Sequence, residues 1–115
     1  MIATTFRTDL FAGKVALVSG GTSGMGAAIG DALTACGATV TVTGATPAEA
    51  DAARAQPGFR CREAIVLDVR DNAAIAAFVA ALPRLDILVN CAGTIRRGAE
   101  HDPAIFAEVL DINLT

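Results

Sequence analysis

Tyrosine and tryptophan are absent from the 115 residues, lysine occurs once, at Lys14, and histidine once, at His101. His101 stands just before a helix start, where a surface position is expected. Three cysteines, Cys36, Cys61 and Cys91, are odd in number and far apart, with no C-x-x-C pair. That spacing excludes a disulfide framework and a structural zinc site, and no metal cluster is visible. The thiols read as reduced and mostly buried, as in a cytoplasmic protein. The longest apolar run, Ala73 to Leu82, is too short for the roughly 20 residues of a membrane span. No basic segment followed by a hydrophobic one opens the chain, so no secretion signal is expected. The net charge of −3 and scattered arginines exclude the clustered positive face of a nucleic-acid binder.

What is present is apolar and regular. Hydrophobic residues make up 53% and charged residues 18%, a balance that folds. The length suits one domain or part of one. The centre of the pattern is Ser19-Gly20-Gly21-Thr22-Ser23-Gly24-Met25-Gly26, set between the apolar run Val15–Val18 and a helical pattern. A strand passing through glycines into a helix leaves bare N–H groups at a positive helix end, which suits a phosphate or pyrophosphate. Gly20 allows a sharp turn, Gly24 lets a ligand approach, and Gly26 lets the helix sit close on the sheet. No Lys-Ser/Thr follows, as a phosphate-binding P-loop would require. A plain turn is the alternative.

Further along, Met25, Ile29, Leu33 and Cys36 form one helical face, closed by Gly37. Thr39–Thr43 is β-branched throughout, hence a strand. Pro47 starts a helix to about Ala55 with only alanines to bury. Ala64–Leu67 is a third strand, and Asp71 caps a helix carrying Ile75, Phe78, Val79 and Leu82. Asp86–Asn90 is a fourth strand. A last helix, capped by Asp102 with Pro103 first, is expected to bury Ile105, Phe106, Val109 and Leu110. Alternation of this kind predicts an α/β, Rossmann-like three-layer fold: half of a doubly wound parallel sheet of about four strands in the order 3-2-1-4. Ligands bind such sheets beyond the strand ends, where the glycine loop, Asp68 and Asn90–Gly93 all fall.

Asn113 lies four residues after Val109 and seven after Phe106, on that helix's apolar stripe. A buried amide must find partners or cost about 1–3 kcal/mol. Taken alone it reads as a structural amide bonded to nearby backbone. Asp68 alone reads as a capping or surface carboxylate, and Asn90 as a strand-end turn.

Five features in register resemble the short-chain dehydrogenase/reductase family, in its subgroup with a T-G-x-x-x-G-x-G loop. They are Gly13–Val18, the glycine loop (Ser19 in place of the leading Thr), Asp68-Val69, Asn90-Cys91-Ala92-Gly93, and Asn113. The resemblance implies NAD or NADP as cofactor and hydride transfer to or from an alcohol or ketone. Gly20, Thr22, Ser23, Gly24, Met25 and Gly26 would hold the pyrophosphate. Asp68 would accept from the adenine amino group, with Val69 flanking the ring. Asn90, Ala92 and Gly93 would line the adenosine ribose. Asn113 would hold a water in the proton relay behind a catalytic lysine. A homo-oligomeric full-length protein is also implied. Neither the acidic nor the basic residue that selects the cofactor form stands at Gly44-Ala45-Thr46, and Ser23 occupies the place of a loop Arg that can mark NADP.

The family's catalytic Ser and Tyr-x-x-x-Lys lie downstream of Asn113. The chain is therefore expected to be the N-terminal, nucleotide-binding part of a longer enzyme, residues 1–115 of one Rossmann domain, and inactive in isolation. Thr94-Ile95-Arg96-Arg97 looks like members acting on sugar acids, where two arginines could hold a carboxylate; a solvated loop is the alternative. Two other classes stay open: a non-catalytic nucleotide-binding module and a methyltransferase on a similar sheet.

Overall fold

The computed structural model describes residues 5–114. Strands and helices alternate as β1 (Val15–Ser19), α1 (Gly24–Ala35), β2 (Thr39–Gly44), α2 (Pro47–Ala55), β3 (Glu63–Val66), α3 (Asn72–Ala81), β4 (Ile87–Asn90) and α4 (Pro103–Asn113), with a 3-10 turn at Ala99–His101. The sheet is parallel in the order β3-β2-β1-β4. In register, Leu17 stands beside Thr41 on one side and Leu88 on the other.

The core sits on β1 and β2. Ala16, Leu17 and Val18 are buried in succession, which requires cover on both faces of the strand. Val18, Val40 and Val42 are sealed completely, and burying each such side chain contributes about 1.5–3 kcal/mol. The alanine face of α2 behaves as read: Ala50 and Ala53 are buried against the sheet cluster. Its start is better fastened than Pro47 alone suggests. Thr46 Oγ1 accepts from Glu49 N at 3.3 Å while Glu49 Oε2 accepts from Thr46 N at 3.1 Å, a reciprocal cap. Asp71 and Asp102 cap α3 and α4 as expected, accepting from Ala74 N and Ala104 N.

Four expectations need correction. β3 begins and ends one residue early, because Glu63 pairs with Thr41 in the ladder and its carboxylate accepts from the Thr41 hydroxyl at 3.3 Å. Met25 does not share the buried stripe of α1; it is 81% exposed at the first turn. The helix approaches the sheet at Gly30 rather than Gly26: a methyl there would lie 3.0 Å from Val42 Cγ1 and 3.2 Å from Cys61 Sγ. Finally, α3 and α4 contain no fully buried residue, and Val79, Leu88, Phe106 and Leu110 are exposed. β4 is an edge strand, and no element among the described residues covers these side chains.

Candidate functional site

All four strands point their carboxyl ends at one edge, and the chain leaving each strand lines a common cleft of about 670 Å³. That is within the roughly 300–1,000 Å³ usual for a small-molecule site. Gly20, Thr22, Ser23, Met25 and Gly26 come from the loop after β1, Asp68 and Val69 from the turn after β3, and Asn90, Ala92 and Gly93 from the end of β4. Ten of the twelve residues singled out in the sequence thus meet here. Gly24 faces a neighbouring recess instead, and Asn113 does not line the cleft.

Backbone contact holds these segments together. Cys91 N donates to Ser19 O at 2.8 Å, and Gly21 N to Thr43 O at 3.0 Å. Gly20 turns with φ +74°, and a methyl on it would lie 2.5 Å from Ala92 N. A methyl on Gly26 would lie 2.1 Å from Gly20 O. The two glycines therefore let the loop fold onto the Asn90 bend and onto itself. The N-terminus of α1 stays open: Ser23 makes no side-chain cap, unlike Thr46, Asp71 and Asp102. Its first-turn N–H groups are left as donors at the positive end of a helix.

Asp68 is not a helix cap, since Asp71 takes that role. Its Oδ1 accepts from Arg70 N at 2.9 Å and Arg70 Nε at 3.1 Å, and its Oδ2 accepts from Arg70 Nη2 at 2.8 Å. Arg70 reaches on toward Glu108 at 4.0 Å, and Arg96 donates to the same Glu108 oxygen at 3.2 Å. Arg96 is thus paired within the chain while remaining exposed to solvent. Arg70 and Glu108 were not singled out in the sequence; the Asp68-x-Arg70 spacing was the available signal for the first, and nothing local marked the second. The side-chain and backbone hydrogen bonds from Arg70 hold the Asp68 carboxyl below the usual carboxylate range. A carboxyl lowered on folding stabilises above its unfolded value, and that stabilisation is lost as pH falls through the lowered one. Asp68→Asn is therefore expected to flatten the acid limb of an unfolding profile below about pH 4, read by circular dichroism; an unchanged limb would count against the pair.

Asn113 is exposed, contrary to the buried amide expected. Thr94 N donates to its Oδ1 at 2.7 Å and its Nδ2 donates to Thr94 O at 2.8 Å. Both ends of the carboxamide tie α4 to the chain leaving β4. Thr43 also lines the cleft, yet its hydroxyl is sealed from solvent and has no hydrogen-bond partner among the described residues. An orphaned hydroxyl costs about 1–3 kcal/mol, so Thr43→Val is expected to raise the thermal midpoint; a clear fall would show that the hydroxyl has a partner.

Comparison with known proteins fits this geometry. A family model described as short chain dehydrogenase matches residues 14–115. The chain belongs to the short-chain dehydrogenase family. It is 40% identical over 120 residues to D-threitol dehydrogenase of Mycolicibacterium smegmatis, covering 96% of this chain and 44% of that protein. It is 38% identical over 117 residues to 2-dehydro-3-deoxy-D-gluconate 5-dehydrogenase of Pseudoalteromonas atlantica, covering 89% and 44%. Among solved structures, a short chain dehydrogenase/reductase family protein superposes with TM-score 0.75 at 34% identity, covering 91% of this chain and 45% of that one. The Pseudomonas aeruginosa RhlG/NADP active-site complex superposes with TM-score 0.72 at 30% identity, covering 94% and 44%. This short-chain dehydrogenase sequence spans less than half the length of the two curated dehydrogenases named above.

Proposed function

We propose that this chain is the dinucleotide-binding part, residues 1–115, of a longer NAD- or NADP-dependent oxidoreductase acting on an alcohol or ketone. The observation that carries the reading is the uncapped start of α1, opening on the cleft that also receives Asp68-Val69 and Asn90–Gly93. The glycine contacts support the fit, because side chains at Gly20 and Gly26 would collapse the cradle. The first-turn amides of α1 would hold the pyrophosphate. Asp68, kept ionised by Arg70, would accept from the adenine amino group, with Val69 against the ring. Asn90, Ala92 and Gly93 would face the adenosine ribose. When bound, the nicotinamide supplies hydride chemistry. Asn113 is the residue proposed to serve the proton relay by holding a water, and its bonds to Thr94 support a second role in bracing the bend beside the cleft.

Relatives named for threitol and for a deoxy sugar acid favour a polyol or sugar-acid substrate. The full-length protein is proposed to be a homo-oligomer. A cytoplasmic location suits three free thiols, and no helix among the described residues is long and apolar enough to cross a membrane. Calorimetric titration of the full-length protein with NAD⁺, NADP⁺ and S-adenosylmethionine tests the reading. Binding of a nicotinamide dinucleotide is expected; binding of S-adenosylmethionine instead would assign the cleft to methyl transfer.

A further inference from the structure

We propose that Glu49 makes the cleft selective for NAD over NADP. The inference rests on the dinucleotide reading above and deepens it. The two cofactors differ by one phosphate on the adenosine 2′ oxygen. In a Rossmann sheet that hydroxyl is met by an acidic side chain about 20 residues beyond the glycine loop. Here β2 ends at Gly44, and a methyl there would lie 2.9 Å from Thr22 Cγ2 and 3.0 Å from Glu49 Cβ. The strand end therefore has no room for an acid of its own.

The following helix supplies one. Glu49 lines the cleft beside Gly44, Ala45 and Thr46. Its Oε2 accepts from Ala45 N at 2.5 Å and from Thr46 N at 3.1 Å. These amides are the donors that a phosphate at this rim would use, and a carboxylate of the chain itself already holds them. Oε1 has no hydrogen bond among the described residues, so it can accept from a ribose hydroxyl. Among the described residues no cation is paired with Glu49. Arg70 and Arg96, the arginines lining the cleft, are committed to Asp68 and Glu108. A 2′-phosphate, carrying about −1.5 to −2 charge at neutral pH, would meet a carboxylate that already holds the Ala45 and Thr46 amides. A 2′-hydroxyl would meet an acceptor.

The test is calorimetric titration of the full-length enzyme with NAD⁺ and NADP⁺, as wild type and as Glu49→Gln. Glutamine keeps the reciprocal cap with Thr46, and a thermal melt checks that the fold is retained. Wild type is expected to bind NAD⁺ about tenfold or more tightly than NADP⁺, with Glu49→Gln narrowing that ratio by about tenfold through stronger NADP⁺ binding. The wild-type ratio decides even without the variant: equal or tighter NADP⁺ binding overturns the role of Glu49. A ratio unmoved in Glu49→Gln overturns it as well. Failure to bind either dinucleotide removes the function reading first, and this inference with it.

Discussion

Alanine at Gly20 is expected to destabilise the protein by about 2–5 kcal/mol and to abolish dinucleotide binding. Two effects add there. The residue has φ +74°, where a side chain costs about 1–2 kcal/mol, and its methyl would press on the backbone of Cys91 and Ala92 at 2.5–2.7 Å, an overpacking worth about 1–3 kcal/mol. Backbone neighbours cannot rotate away as a side chain would. Gly26→Ala meets only the second effect, against Gly20 O at 2.1 Å, and should cost about 3 kcal/mol or less. Gly24→Ala meets only the first: φ is +58° but nothing lies within 4 Å, so about 1–2 kcal/mol is expected. Against a total stability of about 5–15 kcal/mol, the order Gly20 ≥ Gly26 > Gly24 is resolvable by urea denaturation. Equal losses at the three positions would mean that the loop does not pack on the Asn90 bend.

Hydride transfer by the 115-residue chain alone is expected to be undetectable. A positioned acid or base contributes about 10²–10⁴-fold to such a reaction, and the chain has no tyrosine to serve. Its single lysine, Lys14, precedes β1, whereas the cleft opens beyond Ser19 at the other end of the strand. Five strand residues at about 3.3 Å each keep its backbone about 17 Å away. His101 lies on the 3-10 turn and does not line the cleft. Following reduced nicotinamide by absorbance over a panel of polyols, sugar acids and ketones checks this, and turnover above buffer would mean that another group supplies the proton.

The alternation of strands and helices, the 3-2-1-4 order and the crevice at the strand ends were all legible in the amino-acid order. They depend on local quantities: the period of apolar residues, proline and aspartate at helix starts, and glycines at turns. The same holds for the glycine loop, Asp68-Val69 and Asn90–Gly93, since each follows a strand and parallel strands must end on one edge. The outward turn of Phe106 and Leu110 was not legible, because a helical stripe states which side chains share a face and not whether anything covers it. Asn113 was misjudged as buried for the same reason; what holds it is the backbone of Thr94, nineteen residues away. A glycine inside the helical pattern already pointed to close packing at Gly30, whereas packing alone decided that Gly26 meets the loop rather than the sheet. The charges at the cleft mouth were settled in the same way, since Arg70, Arg96 and Glu108 meet only when α4 folds back toward the turns after β3 and β4. Glu49 shows the division most plainly. Its place in a capping pattern is written in four consecutive residues, but its presence at the rim of the cleft follows from how α2 lies against the end of β2, and distances between separate elements are set by the fold as a whole.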